Sequence, residues 1–392
     1  MKTAQAVPRT LDLAALLRKK SIMLLGPRGT GKSFLIRQTL GDSALRVDLL
    51  RSDVYLRLSA SPGEIEGMID AAGRDIVVLD EVQKVPALLD EVHRLIEEKG
   101  VRFLLTGSSA RKLKRRDVNL LAGRAWPASL FPFTWKELGG RFDLDRYLRY
   151  GGLPPVYLST DPAEELRAYV GTYLKEEIQA ESLVRRLPAF HRFLKVAALD
   201  NGRMLNYAQV ASDAGVPAAT VRAHYTILVD TLSGLLLEPW RESKKRKAIQ
   251  TPKFYFFDPG VAHTLAQTET LDRNSDLYGR SFEQWIGMEL RARLSYVRSD
   301  LPLTYWRSVH DQEVDFLVAD RAAVEVKAAK RATDRDAAGL AALAEERVFK
   351  RFYLVSQDPT LRRRQVGEAT VEFIPYETFL RRLWSGELDG IP

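Results

Sequence analysis

The chain has 392 residues, 45% of them hydrophobic and 28% charged, which is enough for two or three domains with their own cores. It has no cysteine, which excludes disulfides, thiolate chemistry and iron–sulfur clusters, and its five scattered histidines leave any metal to oxygen ligands. No apolar run reaches the roughly 20 residues of a membrane span, so a cytoplasmic protein without a membrane partner is expected, while a net charge of +8 favours a polyanionic one.

From Ser21 to about Trp135 the apolar runs Ile22–Leu25, Leu45–Leu50, Ile76–Leu79 and Val101–Leu105 alternate with helical segments. Apolar strands separated by helices predict a parallel sheet covered on both faces. The Pro- and Gly-containing stretch Trp126–Pro155 ends this pattern. A helical stretch follows from Asp161 to about Leu237, and strands return around one helix beyond Asp276. The expected division is residues 1–155, 156–270 and 271–392, with no internal repeat.

The segment Gly26, Pro27, Arg28, Gly29, Thr30, Gly31, Lys32, Ser33 fits GxxxxGK[ST], follows an apolar strand and opens a helix. In such a loop backbone N–H groups close around phosphate oxygens, a lysine at the Lys32 position neutralises the β/γ charge, and a hydroxyl at the Ser33 position is offered to Mg²⁺. ATP and Mg²⁺ are therefore the expected cofactors. Next, Ile76–Leu79 ends in Asp80 and Glu81 at the edge where parallel sheets bind ligands. Asp80 is expected in the Mg²⁺ shell and Glu81 at the attacking water. One strand later Thr106 and Ser108 bring hydroxyls to the same edge, for the γ-phosphate, the water or a turn cap.

The segments GPRGTGKS, VVLDEVQKVP, FLLTGSSARKL and LAGRAWPASLFPFTWKEL resemble, in this order, the ATPase domain of a prokaryotic AAA+ family whose members carry a nuclease-like C-terminal domain of unknown function. The resemblance implies a P-loop ATPase acting as a homo-oligomeric ring, a hexamer in the leading case, completed by an arginine from a neighbouring copy. Arg124 matches a recurrent position in that family; Arg111 and Arg141 are alternatives, as is an internal salt bridge.

Tyr207–Pro217 and Ala218–Leu232 read as helix, glycine turn and second helix. Val221, Tyr225, Leu228 and Leu232 share one stripe of the second helix, which leaves Thr220, Arg222 and His224 to face outward, as in a groove-reading helix. The strands Leu235–Trp240 and Lys253–Phe257 flank Lys244, Lys245, Arg246 and Lys247, a basic loop placed as the wing of a winged helix. Arg222, His224 and the four loop residues are the expected DNA contacts; a packing lid is the structural alternative.

Beyond residue 271, a helix near Ser281–Leu294, strands at Leu303–Arg307, Glu313–Val318 and Ala322–Lys327, a helix at Asp334–Glu346 and a strand at Phe349–Val355 give αβββαβ. This order resembles the PD-(D/E)xK nucleases, with Asp315, Glu325 and Lys327 at the motif positions and Glu283 as the helical acid. The resemblance implies carboxylates holding Mg²⁺ at a scissile phosphate. A hairpin turn at Ala319–Arg321 would put Val318 opposite Ala322 and Asp315 opposite Glu325. Alternation also puts Glu313, Asp315, Glu325 and Lys327 on one face, which a solvent-facing side explains as well.

The fold expected is thus α/β: a P-loop AAA+ parallel-sheet domain, a winged-helix module and a PD-(D/E)xK-like domain. The function expected is Mg²⁺-dependent ATP hydrolysis coupled to moving or remodelling DNA, such as branched DNA in recombination or repair. An ATP-gated nuclease in defence and a slow nucleotide switch recruiting proteins are the rivals.

Overall fold

The computed structural model describes residues 6–107, 123–173, 187–243 and 246–392. The chain divides into two compact units, one built mainly on Met1–Phe133 and the other mainly on Thr134–Thr172, Val184–Val229 and Gly234–Pro392.

In the first unit, helix α1 (Leu13–Lys19) leads into strand β1 (Ser21–Leu25), and helix α2 (Lys32–Leu40) follows the loop after it. Strands β2 (Leu45–Asp48), β3 (Ile76–Asp80), β4 (Arg102–Gly107) and β5 (Ala125–Ser129) complete a sheet of order β2-β3-β4-β1-β5. Every pairing is parallel, as the unbroken apolar runs require, since helices cover both faces. Helices α3 (Ser52–Ala60), α4 (Glu64–Ala72) and α5 (Leu88–Lys99) supply apolar stripes such as Leu88, Val92 and Leu95. These pack on Val77, Leu79, Phe103 and Leu105.

Strand β5 was not expected, because it falls at the start of the Pro- and Gly-containing stretch read as ending the pattern, and it contains Pro127. It is an edge strand, a place where a missing N–H is tolerated. The order places β4 between β3 and β1, with Leu24 opposite Thr106 and Leu79 opposite Leu105, so the ends of the three strands lie side by side.

The second unit holds helices Leu187–Leu199, Tyr207–Ala214 and Ala218–Asp230, then β6 (Gly234–Pro239) and β7 (Lys253–Phe256). After the helix Asp276–Tyr296 come β8 (Leu303–Arg307), β9 (Glu313–Val318), β10 (Ala322–Lys327), β11 (Arg351–Ser356), β12 (Arg362–Val366) and β13 (Ala369–Pro375). They form one mixed sheet of order β12-β13-β11-β10-β9-β8-β6-β7. The expected register holds: Val318 pairs with Ala322, Leu317 with Ala323 and Phe316 with Val324. The two strands read as a wing pair with each other and, through β6, with β8, so they extend this sheet.

Two expectations for the helix Ala218–Asp230 are corrected. Leu232 does not continue its stripe, because the helix stops at Asp230 and Leu232 turns the chain with φ 59. His224 does not face outward: it is buried against the rings of Phe190 and Phe193, at 4.8 and 4.9 Å. Burial lowers its pKa to about 4, so at neutral pH it is an uncharged core side chain.

Candidate functional site

The loop between β1 and α2 is shaped by its glycines. A Cβ on Gly26 would lie 2.5 Å from the Leu130 carbonyl oxygen, and Gly29 and Gly31 sit at φ 81 and 93. No side chain caps α2, so its start presents backbone N–H groups. Lys32 donates through Nζ to the carbonyls of Gly26 at 2.6 Å and Pro27 at 3.2 Å. The buried Thr30 hydroxyl closes the loop on Pro27 O at 2.8 Å, whereas Arg28 and Ser33 are exposed.

Arg9, which the sequence reading did not single out, fastens this loop to the end of β5. Its guanidinium donates to Thr30 O at 2.5 Å and Phe131 O at 2.6 Å, and lies over the Phe133 ring. Loss of two charge-assisted bonds to one loop predicts that Arg9→Ala weakens nucleotide affinity about tenfold, measurable by titration with a fluorescent ATP analogue.

Across the sheet edge, Asp80 ends β3 and Glu81 follows at φ 61, a left-handed conformation uncommon outside glycine. One hydroxyl joins the two residues: Thr106 Oγ1 donates to Asp80 Oδ1 and accepts the Glu81 N–H at 3.1 Å. The Gln83 amide donates to Glu81 Oε2. Thr106 is thus fully buried in a bridge between β3 and β4, and Ser108 lies outside the described residues.

Arg124 forms an ion pair with Glu97 of its own chain. Arg141 is exposed, and Arg111 lies outside the described residues. Of the expected DNA contacts, Arg222 is exposed and stacks over the Tyr207 ring at 4.1 Å. Lys247 is exposed, Arg246 pairs with Glu345 at 2.6 Å, and Lys244 and Lys245 lie outside the described residues. The run Arg362–Arg364 is matched by carboxylates, with Asp358 at 2.7 Å, Glu372 at 2.9 Å and Asp334 at 3.0 Å.

A second cluster joins Glu283, Glu313, Asp315, Glu325 and Lys327. Asp315 and Glu325 are 5% and 4% exposed, so the reading of a solvent-facing side is overturned. They face inward because β7 brings Lys253, itself 3% exposed, into their midst, with Nζ 3.0 Å from Glu283 Oε1 and 3.7 Å from Asp315 Oδ1. Burial alone would lower the lysine's pKa, but Glu283, Asp315 and Glu313 hold it well above the usual range. Burial, reinforced by Glu283, raises the Asp315 carboxyl. Lysine at the head of the apolar run Phe254–Phe257 was the available signal, since a buried ammonium requires anionic partners.

A parallel sheet carrying GxxxxGK[ST] after one strand and an acidic pair after another defines a P-loop nucleotide-binding domain. Residues 18–139 match the family model described as an AAA domain, which supports an ATP-hydrolysing P-loop enzyme. Residues 141–272 and 278–379 match two domains of unknown function, DUF8612 and DUF4143. None of the curated proteins matches the chain. Among solved structures, the replication initiator DnaA bound to AMPPCP and single-stranded DNA aligns at 13% identity and a TM-score of 0.31, over 57% of this chain and 90% of that one. So weak a likeness carries no argument here.

Proposed function

We propose that the chain is a Mg²⁺-dependent ATPase that uses hydrolysis to move or remodel bound DNA, working as a homo-oligomer. The observation that carries the ATPase reading is the convergence of the glycine loop, Lys32, Asp80 and Glu81 at the ends of β1 and β3, with Thr106 tying the two acids together. Lys32 would neutralise charge on the β- and γ-phosphates, and Glu81 would orient the attacking water and take its proton. The donors available at Ser33 and Asp80 are a hydroxyl and a carboxylate, the oxygen set a hard divalent ion takes. That ion supplies charge neutralisation at the transferred phosphoryl group.

An arginine from a neighbouring copy completes the site in this reading. Arg124, with a 30% exposed side chain, would exchange Glu97 for the γ-phosphate of the adjoining subunit. DNA as the partner is supported by the net charge of +8 and by the exposed Arg222 and Lys247. The test is the ATPase rate and mass of the purified protein with single-stranded, duplex and branched DNA. Several-fold stimulation by at least one DNA form is expected, with an affinity that falls steeply as salt rises. Turnover indifferent to all three would refute the motor reading.

One observation favours a second reading, a slow nucleotide switch: the Gln83 amide engages the carboxylate of Glu81. If that bond restrains the base, Gln83→Ala raises DNA-free turnover about tenfold, the worth of one hydrogen bond. A motor stimulated by DNA predicts little change in the absence of DNA and weakened stimulation in its presence.

A further inference from the structure

The buried cluster of the C-terminal sheet contains its own cation. Lys253 Nζ lies 3.0 Å from Glu283 Oε1 and 3.7 Å from Asp315 Oδ1, and it also bonds Glu313. The ring of Tyr305 lies 5.4 Å from the same ammonium, and the Tyr255 hydroxyl donates to Glu283 Oε1 at 2.5 Å.

The remaining carboxylate oxygens are largely committed as well. Asp315 Oδ2 accepts the Val326 N–H at 2.8 Å, Lys327 takes Glu325 Oε1 at 2.5 Å, and Arg307 takes Glu313 Oε2 at 2.8 Å. Glu325 Oε2 is buried without a hydrogen-bond partner, but Asp315, the carboxylate that would share an ion with it, is engaged at both oxygens by Lys253 and the Val326 N–H. Among the described residues, no group of three or more His, Asp or Glu is arranged to hold a metal ion. The donor set required by a metal-dependent nuclease is present in sequence but does not fit one here, because an ammonium sits among its oxygens and would repel the incoming ion.

We propose that Lys253 is the resident cation of this centre, a lysine that takes the place of a divalent metal, so that the domain does not cut DNA. The lysine enters from β7, a strand outside the αβββαβ order, so its charge also ties the β6–β7 hairpin to the sheet. This inference stands apart from the ATPase reading, since none of its residues belongs to the P-loop unit.

The test uses the full chain without nucleotide, titrated with Mn²⁺ and followed by the electron paramagnetic resonance of the free ion. The wild type is expected to take up no Mn²⁺ that Asp315→Asn removes, and to leave plasmid DNA uncut in Mg²⁺ or Mn²⁺. Lys253→Met is expected to gain one Mn²⁺ per chain, lost again in Lys253→Met/Asp315→Asn. Wild-type uptake of one Mn²⁺ that Asp315→Asn abolishes would overturn the proposal, and so would a folded Lys253→Met that takes up none. If Lys253→Met does not fold, the wild-type titration still decides. In that case Lys253→Met/Glu283→Gln, which removes one charge of each sign, is expected to recover the fold.

Discussion

Glu81→Gln is expected to lower ATP turnover by about 10²–10⁴-fold while nucleotide affinity changes only a few-fold. The substitution keeps the side chain's length and leaves the backbone N–H bond to Thr106 and the acceptor for the Gln83 amide in place. What disappears is the ability to take a proton from water. Under the proposed function Lys32→Ala should act on binding itself, because it removes the charge that would neutralise the phosphates. Single-turnover hydrolysis of radiolabelled ATP, with affinity measured separately, distinguishes the two effects. A Glu81→Gln variant turning over at the wild-type rate would show that the water is activated elsewhere.

Glu289→Gln is expected to be the most destabilising conservative change in the C-terminal unit. The Glu289 carboxyl is buried and accepts three N–H groups: Trp135 N at 2.7 Å, Trp285 Nε1 at 3.1 Å and Trp384 Nε1 at 2.7 Å. Protonated or ionised, both carboxyl oxygens keep lone pairs that can accept an N–H, whereas an amide NH₂ accepts none, so one of the three donors is left unpaired at a cost of about 1–3 kcal/mol. Burial raises the Glu289 pKa to about 8, against the pull of those three donors. The folded chain therefore holds this proton more tightly than the unfolded one, whose carboxyl titrates near 4.3. The corresponding stability is fully present below that value and is lost as pH rises through about 8. Thermal unfolding from pH 5 to 8.5 should show a falling midpoint in the wild type and a flatter one in Glu289→Gln. Parallel slopes would show that another group carries the dependence.

The ATPase half was legible in the sequence because its signals are local. A phosphate loop, an acidic pair and four apolar runs each lie within a few residues, and the shortness of the runs between helical segments marks them as strands. Strand β5 was missed because it lies in a Pro- and Gly-containing stretch, and that its Pro127 is tolerated on an edge strand depends on tertiary order. Strands β12 and β13 lay beyond the last element read. Arg362–Arg364 reads in the sequence only as basic charge, although it forms an edge strand whose arginines meet Asp358, Glu372 and Asp334. Charge runs carry no record of their partners.

His224 was misjudged for a related reason. A helical wheel assigns faces within one helix, and the face called outward is covered by Phe190 and Phe193 of another. In the C-terminal sheet the hairpin register followed from the turn at Ala319–Arg321, with Val318 opposite Ala322 and Phe316 opposite Val324, and Asp315, next along, accepts the Val326 N–H. Lys253 could not be placed there in advance, because its approach depends on β6 pairing in parallel with β8, some sixty residues away.

The buried hydroxyl between β3 and β4 also has a mechanical meaning. Thr106 is the last residue but one of β4, so its side chain links the end of that strand to Asp80 and Glu81 in addition to the backbone ladder between β3 and β4. The segment that follows begins with Ser108 and contains Arg111–Arg116, the most basic run in the sequence. A load entering β4 at Gly107 therefore meets the Thr106 bridge and the β3–β4 ladder together.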